Sequence, residues 1–306
     1  MLAGGVGAAR FLRGLRWHLE PRRLTVVVNT ADDETFFGLY VSPDVDTVIY
    51  TLAGSVDPLQ GWGVRRDSLH CLHALARYYG PPWFRLGDRD LATHIFRTEA
   101  LRRGRSLTAV TAAIARAHGV DVRVLPMSDM PVRTFIEVEG KGLLPFQQYL
   151  VRGRGRGRVR RIVVRRSRAA VPSATVLAAV RRADWVILPP SNPLVSIGPI
   201  LALRGVRRAV RAGRGRVAAV SPLIGGLPIK GPLHRMLRGL GHEVSPVGVA
   251  RLYRGVADIF VIDRRDAPLA PRIAALGMRP VVTDTLMTST ARSRQLAATV
   301  LAELSR

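Results

Sequence analysis

A chain of 306 residues with 47% hydrophobic side chains can bury a core of enzyme size, and apolar runs such as 185–190 and 217–220 fall far short of the ~20 residues a membrane span needs. A single cysteine, Cys71, excludes an internal disulfide, and no leader precedes the first strand, so the reading is a cytoplasmic protein without a membrane partner. The formal charge of +25 invites a nucleic-acid role, but all but two of the 47 basic residues are arginine and they are scattered along the chain; nucleic acid is therefore disfavoured against an anionic small molecule.

In chain order, Leu2-Ala3-Gly4-Gly5-Val6-Gly7 is a glycine-rich turn leading into a helix with Phe11, Leu12, Leu15 and Leu19 at helical spacing. Bare backbone at Gly4, Gly5 and Gly7, beside the positive end of a helix, suits a phosphate; a plain tight turn explains the same glycines. The strand before the turn holds only Met1 and Leu2, against a usual length of about five, and reads as a chain whose native start lies upstream. The next buried-strand pattern, Leu24 to Asn29, ends in the polar cluster Asn29, Thr30, Asp32 and Asp33. Strand, helix, strand opens a doubly wound, mostly parallel Rossmann-like sheet, where ligands sit beyond the carboxyl ends of the strands.

Ser42-Pro43-Asp44-Val45-Asp46-Thr47 reads as a helix start, with Ser42 as cap and Pro43 in the first turn. Asp44 and Asp46 there serve the helix dipole, or hold a divalent cation beside a diphosphate; both readings stand. Asp67 or Ser68 is expected to cap a helix whose core stripe is Leu69, Leu72, Leu75 and Tyr79 and which Gly80-Pro81-Pro82 stops. Then Leu86-Gly87-Asp88-Arg89-Asp90 sets charges side by side: Arg89 can take a phosphate bidentately, and Asp88 can cap a turn or join a metal site. His94 reads as a local hydrogen-bonding residue.

A strand at 122–126 delivers Met127-Ser128-Asp129, which makes Ser128 a binding candidate by position. From 132 to 166 the pattern becomes alternating strands, at 133–138 and 146–151, an antiparallel excursion or small subdomain inserted within a single α/β domain spanning 1–306. Its Arg-Gly tract, 152–161, reads as a solvated hairpin or loop. Parallel grammar resumes with a helix at 173–182 and a strand at 185–188, followed by a turn in which Ser191 and Asn192 are placed to hold a phosphate or ribose. After a strand at 217–220 and Gly225-Gly226 comes Lys230, one of two lysines in an arginine-dominated chain, a compact charge that guanidinium does not replace. Strands at 259–262 and 280–283 and a helix from Ser289 close the scheme.

Taken together, residues 2–7, 28–33, 42–48, 86–94, 125–129, 190–193 and 284–288 resemble, in order, the 2-phospho-L-lactate transferases of coenzyme F420 biosynthesis. The resemblance implies an enzyme that joins the phospholactyl group of a guanosine diphosphate ester, or its enolpyruvyl or phosphoglyceryl counterpart, to the deazaflavin Fo. Coenzyme F420-0 or its dehydro form and GMP would be the products, and Mg²⁺ would assist; a homodimer stays open. It also implies Fo near Asp46 and Arg89, nucleotide phosphates near Gly4 to Gly7 and Ser191-Asn192, and metal ligands among Asp44, Asp46 and Asp88. The further site candidates are Asn29, Ser128 and Lys230. The non-enzymatic alternative is a nucleotide-sugar-binding regulator of the gluconeogenesis-factor type, and the 42–47 and 86–94 motifs favour the transferase.

Overall fold

The computed structural model describes residues 1–166, 170–213 and 215–306. The first half of the chain runs β1 (Leu2–Ala3), α1 (Gly5–Leu15), β2 (Thr25–Val28), β3 (Glu34–Phe36), β4 (Leu39–Val41), α2 (Pro43–Leu52), α3 (His70–Tyr79), α4 (Asp88–Arg102), α5 (Leu107–Ala117) and β5 (Arg123–Pro126). An antiparallel excursion follows, β6 (Val132–Val138), β7 (Gly142–Pro145) and β8 (Val159–Arg166). The second half comprises α6 (Ala174–Arg182), β9 (Trp185–Leu188), α7 (Gly198–Ala202), α8 (Val206–Ala212), β10 (Arg216–Val220), β11 (Leu223–Ile224), β12 (Leu227–Pro228), α9 (Leu233–Gly239), α10 (Pro246–Leu252), β13 (Ile259–Asp263), α11 (Ala270–Ala274), β14 (Arg279–Thr283) and α12 (Thr290–Ser305).

Two parallel sheets carry the fold, β1-β2-β5 and β9-β10-β13-β14, and β1 packs against β9 where they meet. Strand order thus runs outward from the β1/β9 seam in both directions, which makes that seam the topological switch point. Alternation along the strands feeds two cores. Val27, Leu125, Val186, Leu188 and Phe260 point to one face with the residues of α7, α8 and α10; Val26, Val28, Val124, Ile187 and Val261 point to the other with α1, α2 and α12. The α/β class with an antiparallel excursion is the class expected from the sequence.

The antiparallel sheet has the order β7-β6-β8, with β6 central. Its first strand falls where expected, but the second lies at Gly142–Pro145 rather than 146–151. Residues Gln148–Arg152 instead form a helical turn that buries Tyr149, whose hydroxyl donates to the carbonyl of Gly155 at 3.0 Å. The α3 stripe also departs from expectation: Leu72 is buried, while Tyr79 is 67% exposed. No helix among the described residues is long and apolar enough to cross a membrane.

Candidate active site

Three segments converge beyond the carboxyl ends of β1, β2 and β9. The turn at Gly4 is gripped from two sides. A Cβ on Gly7 would lie 2.0 Å from the carbonyl oxygen of Pro190, and one on Gly4 would lie 2.7 Å from the Cβ of Ser196. Ser191 locks the same contact by donating its hydroxyl to the carbonyl of Gly4 at 2.7 Å. Close packing of the turn on the β9 loop therefore accounts for Gly4 and Gly7, and Gly5 is required by its φ of 70°. Asn192 caps the helical turn after it, accepting from the amides of Leu194 at 2.9 Å and Val195 at 3.4 Å.

The acids flagged in the sequence do different work from one another. Asp44 reaches across to α1 and accepts the Gly5 amide at 2.8 Å on one oxygen and the Asn29 side-chain amide at 3.0 Å on the other. Asn29 is itself buried and held by the Ala31 amide at 3.0 Å. Ser42 does not cap α2 with its side chain; it donates to Asp33 at 2.5 Å, and Tyr40 donates to the same oxygen at 3.0 Å. Asp32 and Asp33 are both buried, and each keeps one oxygen, Oδ1, without a hydrogen-bond partner.

Burial sets the electrostatics here. It pushes the Asp33 carboxyl up to about 8, against the opposing pull of Ser42, Arg97 and Tyr40. Asp44 rises to about 6, again through burial, with Asn29 and the Gly5 amide working the other way. Asp32 lies well above 3.8, through burial first and the charge of Asp44 second. Unpaired, crowded carboxylates at this depth are destabilising unless something positive shares the space.

Asp46 and Asp88 do not join this group. Both oxygens of Asp46 face the guanidinium of Arg97, which is fully buried. Asp88 caps a neighbouring helix: it accepts the amides of His70 at 3.1 Å and Cys71 at 3.0 Å at the start of α3. Asp67 returns the exchange, accepting the amides of Arg89 at 2.9 Å and Asp90 at 3.1 Å at the start of α4. The Ser68 side chain first, and then the Cys71 and His70 amides, hold the Asp88 carboxyl below its ordinary value. The expected metal candidates Asp44, Asp46 and Asp88 therefore do not form one cluster: Asp44 faces the head of α1, Asp46 faces Arg97, and Asp88 caps α3. Among the described residues, the three metal-type side chains that do converge, within 4.8 Å, are Asp46, Asp90 and His94. Arg97 already supplies the positive charge at that place.

The other candidates scatter around the seam. Arg89 stands exposed at the head of α4, and among the described residues its guanidinium has no partner. Ser128 is buried and occupied locally, donating to the Val171 carbonyl at 2.9 Å and accepting from the Met130 amide at 3.1 Å. Lys230 donates to the carbonyl of Gln60, which ties the β11–β12 hairpin to the 55–66 loop. A Cβ on Gly61 in that loop would meet the side chain of Val6, so the loop lies over the start of α1.

Where the β3–β4 hairpin, which follows Asp33 in the chain, meets residues 79–84, a cleft of about 340 Å³ opens whose lining includes Phe36, Phe37, Tyr79, Trp83 and Phe84. Phe36 stacks on Phe84 at 4.0 Å between centroids, and Phe37 tilts against Tyr79 at 5.1 Å. The β3–β4 hairpin turns through Phe37 and Gly38, both at positive φ, 51° and 74°. Such a turn favours Asn-Gly, so a phenylalanine is strained there. Sequence reasoning passed over this cleft because its rings come from two separate segments.

A doubly wound sheet with buried acids and a helix N-terminus at its switch point defines an α/β protein whose ligand site lies at that seam. The family described as 2-phospho-L-lactate transferase CofD matches residues 1–303, and the chain belongs to that family. It is 42% identical to a phosphoenolpyruvate transferase of Streptomyces griseus over 94% of this chain and 92% of that one. It is 41% identical to a 2-phospho-L-lactate transferase of Methanosarcina acetivorans, covering 97% and 96%. In fold it is similar to a UPF0052-family protein of Bacillus halodurans, with a TM-score of 0.66 at 15% identity, covering 98% and 97%. The chain is thus a transferase of F420 biosynthesis.

Proposed function

We propose that the enzyme transfers a phosphate-linked three-carbon acid, lactyl, enolpyruvyl or glyceryl, from its guanosine diphosphate ester to Fo and releases GMP. The observation that carries this reading is a pair of neighbouring buried acids at the head of α1: Asp32, whose Oδ1 has no hydrogen-bond partner, and Asp44, which accepts the Gly5 amide and faces no cationic side chain. A hard cation such as Mg²⁺ takes oxygen donors, and the orphaned Asp32 Oδ1 beside Asp44 fits that demand. Asp32 and Asp44 would hold it, and when bound it would neutralise charge on the transferring phosphoryl group and the departing GMP.

The remaining work falls to the chain. The head of α1 presents positive backbone dipole toward the donor phosphates, with Ser191 and Asn192 fixing the loop against it. Phe36, Phe37, Trp83 and Phe84 take the planar deazaflavin by stacking. Phe36 lies four residues beyond Asp32, at most about 14 Å of extended chain. A polyol tail on the ring would span to the acids; its terminal hydroxyl would form the new O–P bond as the P–O bond to GMP breaks, its proton passing to solvent. Arg89, free at the head of α4, is placed to steady the acceptor or the transferring phosphate.

Incubation of the protein with Fo, MgCl₂ and each of the three guanosine diphosphate esters, with mass detection, tests the reading. The expected result is an Fo adduct and equimolar GMP with at least one donor. No adduct with any of the three overturns it.

A further inference from the structure

The buried face of α4 is polar where a core-facing helix is ordinarily apolar. Asp90, Thr93, His94, Arg97 and Thr98, at helical spacing, are all buried. Arg97 is the largest of the fully buried side chains. Its Nη1 donates to Asp46 Oδ2 at 3.1 Å and to the carbonyl of Tyr40 at 3.4 Å, and stands 3.1 Å from His94 Nδ1; its Nη2 pairs with Asp46 Oδ1. A fork on both oxygens permits one orientation of that carboxylate.

The brace continues behind Arg97. His94 Nε2 approaches Asp90 Oδ1 to 3.3 Å without a hydrogen bond to it, and Asp90 accepts the Tyr50 hydroxyl at 2.8 Å. In front, Tyr40 links the network to Asp33 through its own hydroxyl. Stability does not explain such a set, since replacing a buried ion pair by well-packed apolar residues is often neutral or stabilising. Its position does: Asp46 lies two residues from Asp44 on α2, and Asp33 adjoins Asp32.

We propose that Arg97, braced by His94, is a positioning residue of the transfer reaction, fixing the Asp46 carboxylate and serving as the built-in positive charge for Asp33 and Asp46. The consequence is that Asp32 and Asp44 are left as the acids open to an external cation. This inference rests on the reading of those two acids given above.

Three variants of the full chain test it: Arg97→Met, Arg97→Lys, and the double variant Asp46→Asn/Arg97→Met. Arg97→Met is expected to lower kcat by about 10²-fold or more while KM for Fo stays within about threefold, and Arg97→Lys to recover part of that loss. The double variant removes both charges, so it regains thermal stability without regaining kcat. Retention of kcat by Arg97→Met at a temperature where it is folded, or its recovery in the double variant, overturns the proposal. Should Arg97→Met not fold, the kcat and KM of Arg97→Lys decide, and an unchanged kcat counts against it. Mn²⁺ titration followed by paramagnetic resonance is independent of turnover. Arg97→Met, or Arg97→Lys in its place, should bind an additional Mn²⁺ or shift its affinity by about tenfold, because Asp33 and Asp46 become available; an unchanged titration overturns the proposal. A wild-type protein that transfers no ester to Fo defeats the functional reading, and the Mn²⁺ titration still decides the role of Arg97.

Discussion

Four aspartates, all in or beside the flagged motifs, separate once their partners are known. Asp32 is buried with one oxygen unpartnered, Asp44 is buried and hydrogen-bonded but faces no cationic side chain, Asp46 is matched by Arg97, and Asp88 is a partly exposed cap. Their substitutions should separate too. Asp32→Asn and Asp44→Asn are expected to lower turnover by about 10²-fold or more at fixed Mg²⁺, as the loss of several kcal/mol of charge stabilisation requires. Asp32→Asn should at the same time raise the melting temperature of the metal-free protein, because it removes a charge that burial and Asp44 both disfavour. Asp88→Asn should show the reverse pattern, a lower melting temperature with turnover unchanged. Calorimetry beside steady-state kinetics reads all three, and a loss of turnover in Asp88→Asn comparable to that in Asp32→Asn would restore Asp88 to the site.

At the level of elements, the parallel strands were legible because each is a short apolar run closed by polar residues, as at 24–29, 185–188 and 217–220. The polar face of α4 was not, because apolar periodicity cannot reveal a helix that buries Asp90, His94 and Arg97. The crossed caps of α3 and α4 were also hidden: the sequence shows Asp67 ahead of one helix and Asp88 at the head of the other, but each serves the other's amides. The second antiparallel strand was misplaced by a few residues because 146–151 carries the strand-favouring residues Phe146, Tyr149 and Val151 while closing a helical turn over Tyr149. The β3–β4 hairpin yields a prediction that sets stability against binding. Phe37 holds a positive φ that asparagine tolerates better, so Phe37→Asn should stabilise the fold by about 0.5–1 kcal/mol in chemical denaturation. It removes a ring from the aromatic cleft, so Fo binding followed by deazaflavin fluorescence should weaken by about tenfold. Unchanged Fo affinity would place the deazaflavin elsewhere.

For the whole molecule, the charge of +25 is the property most visible in the sequence and the least tied to the site. Arginine ion pairs occur on α12, on the antiparallel sheet and around Glu243, and several glutamates serve two arginines each, as Glu139, Glu243 and Glu303 do. The paired arginines thus sit on separate elements, and arginines at large are scattered along the chain, so they are expected to form no single groove. A polyanion laid on such a surface touches few arginines at once. Binding of DNA or RNA is therefore expected to be weak and without sequence preference. Its logarithm should fall against the logarithm of salt with a slope smaller than about 4, whereas a groove making 6–10 phosphate contacts gives a slope of roughly 5–9. Fluorescence anisotropy with random and defined oligonucleotides, at salt from low to physiological, measures both. A slope in the steep range, or selectivity that survives physiological salt, would show that the arginines act together and would give the chain a nucleic-acid partner in addition to its small anionic substrates. A shallow slope means that the same charge acts only at long range, raising the encounter rate of a diphosphate ester with the head of α1, and transfer kcat/KM should then decline with salt while kcat does not.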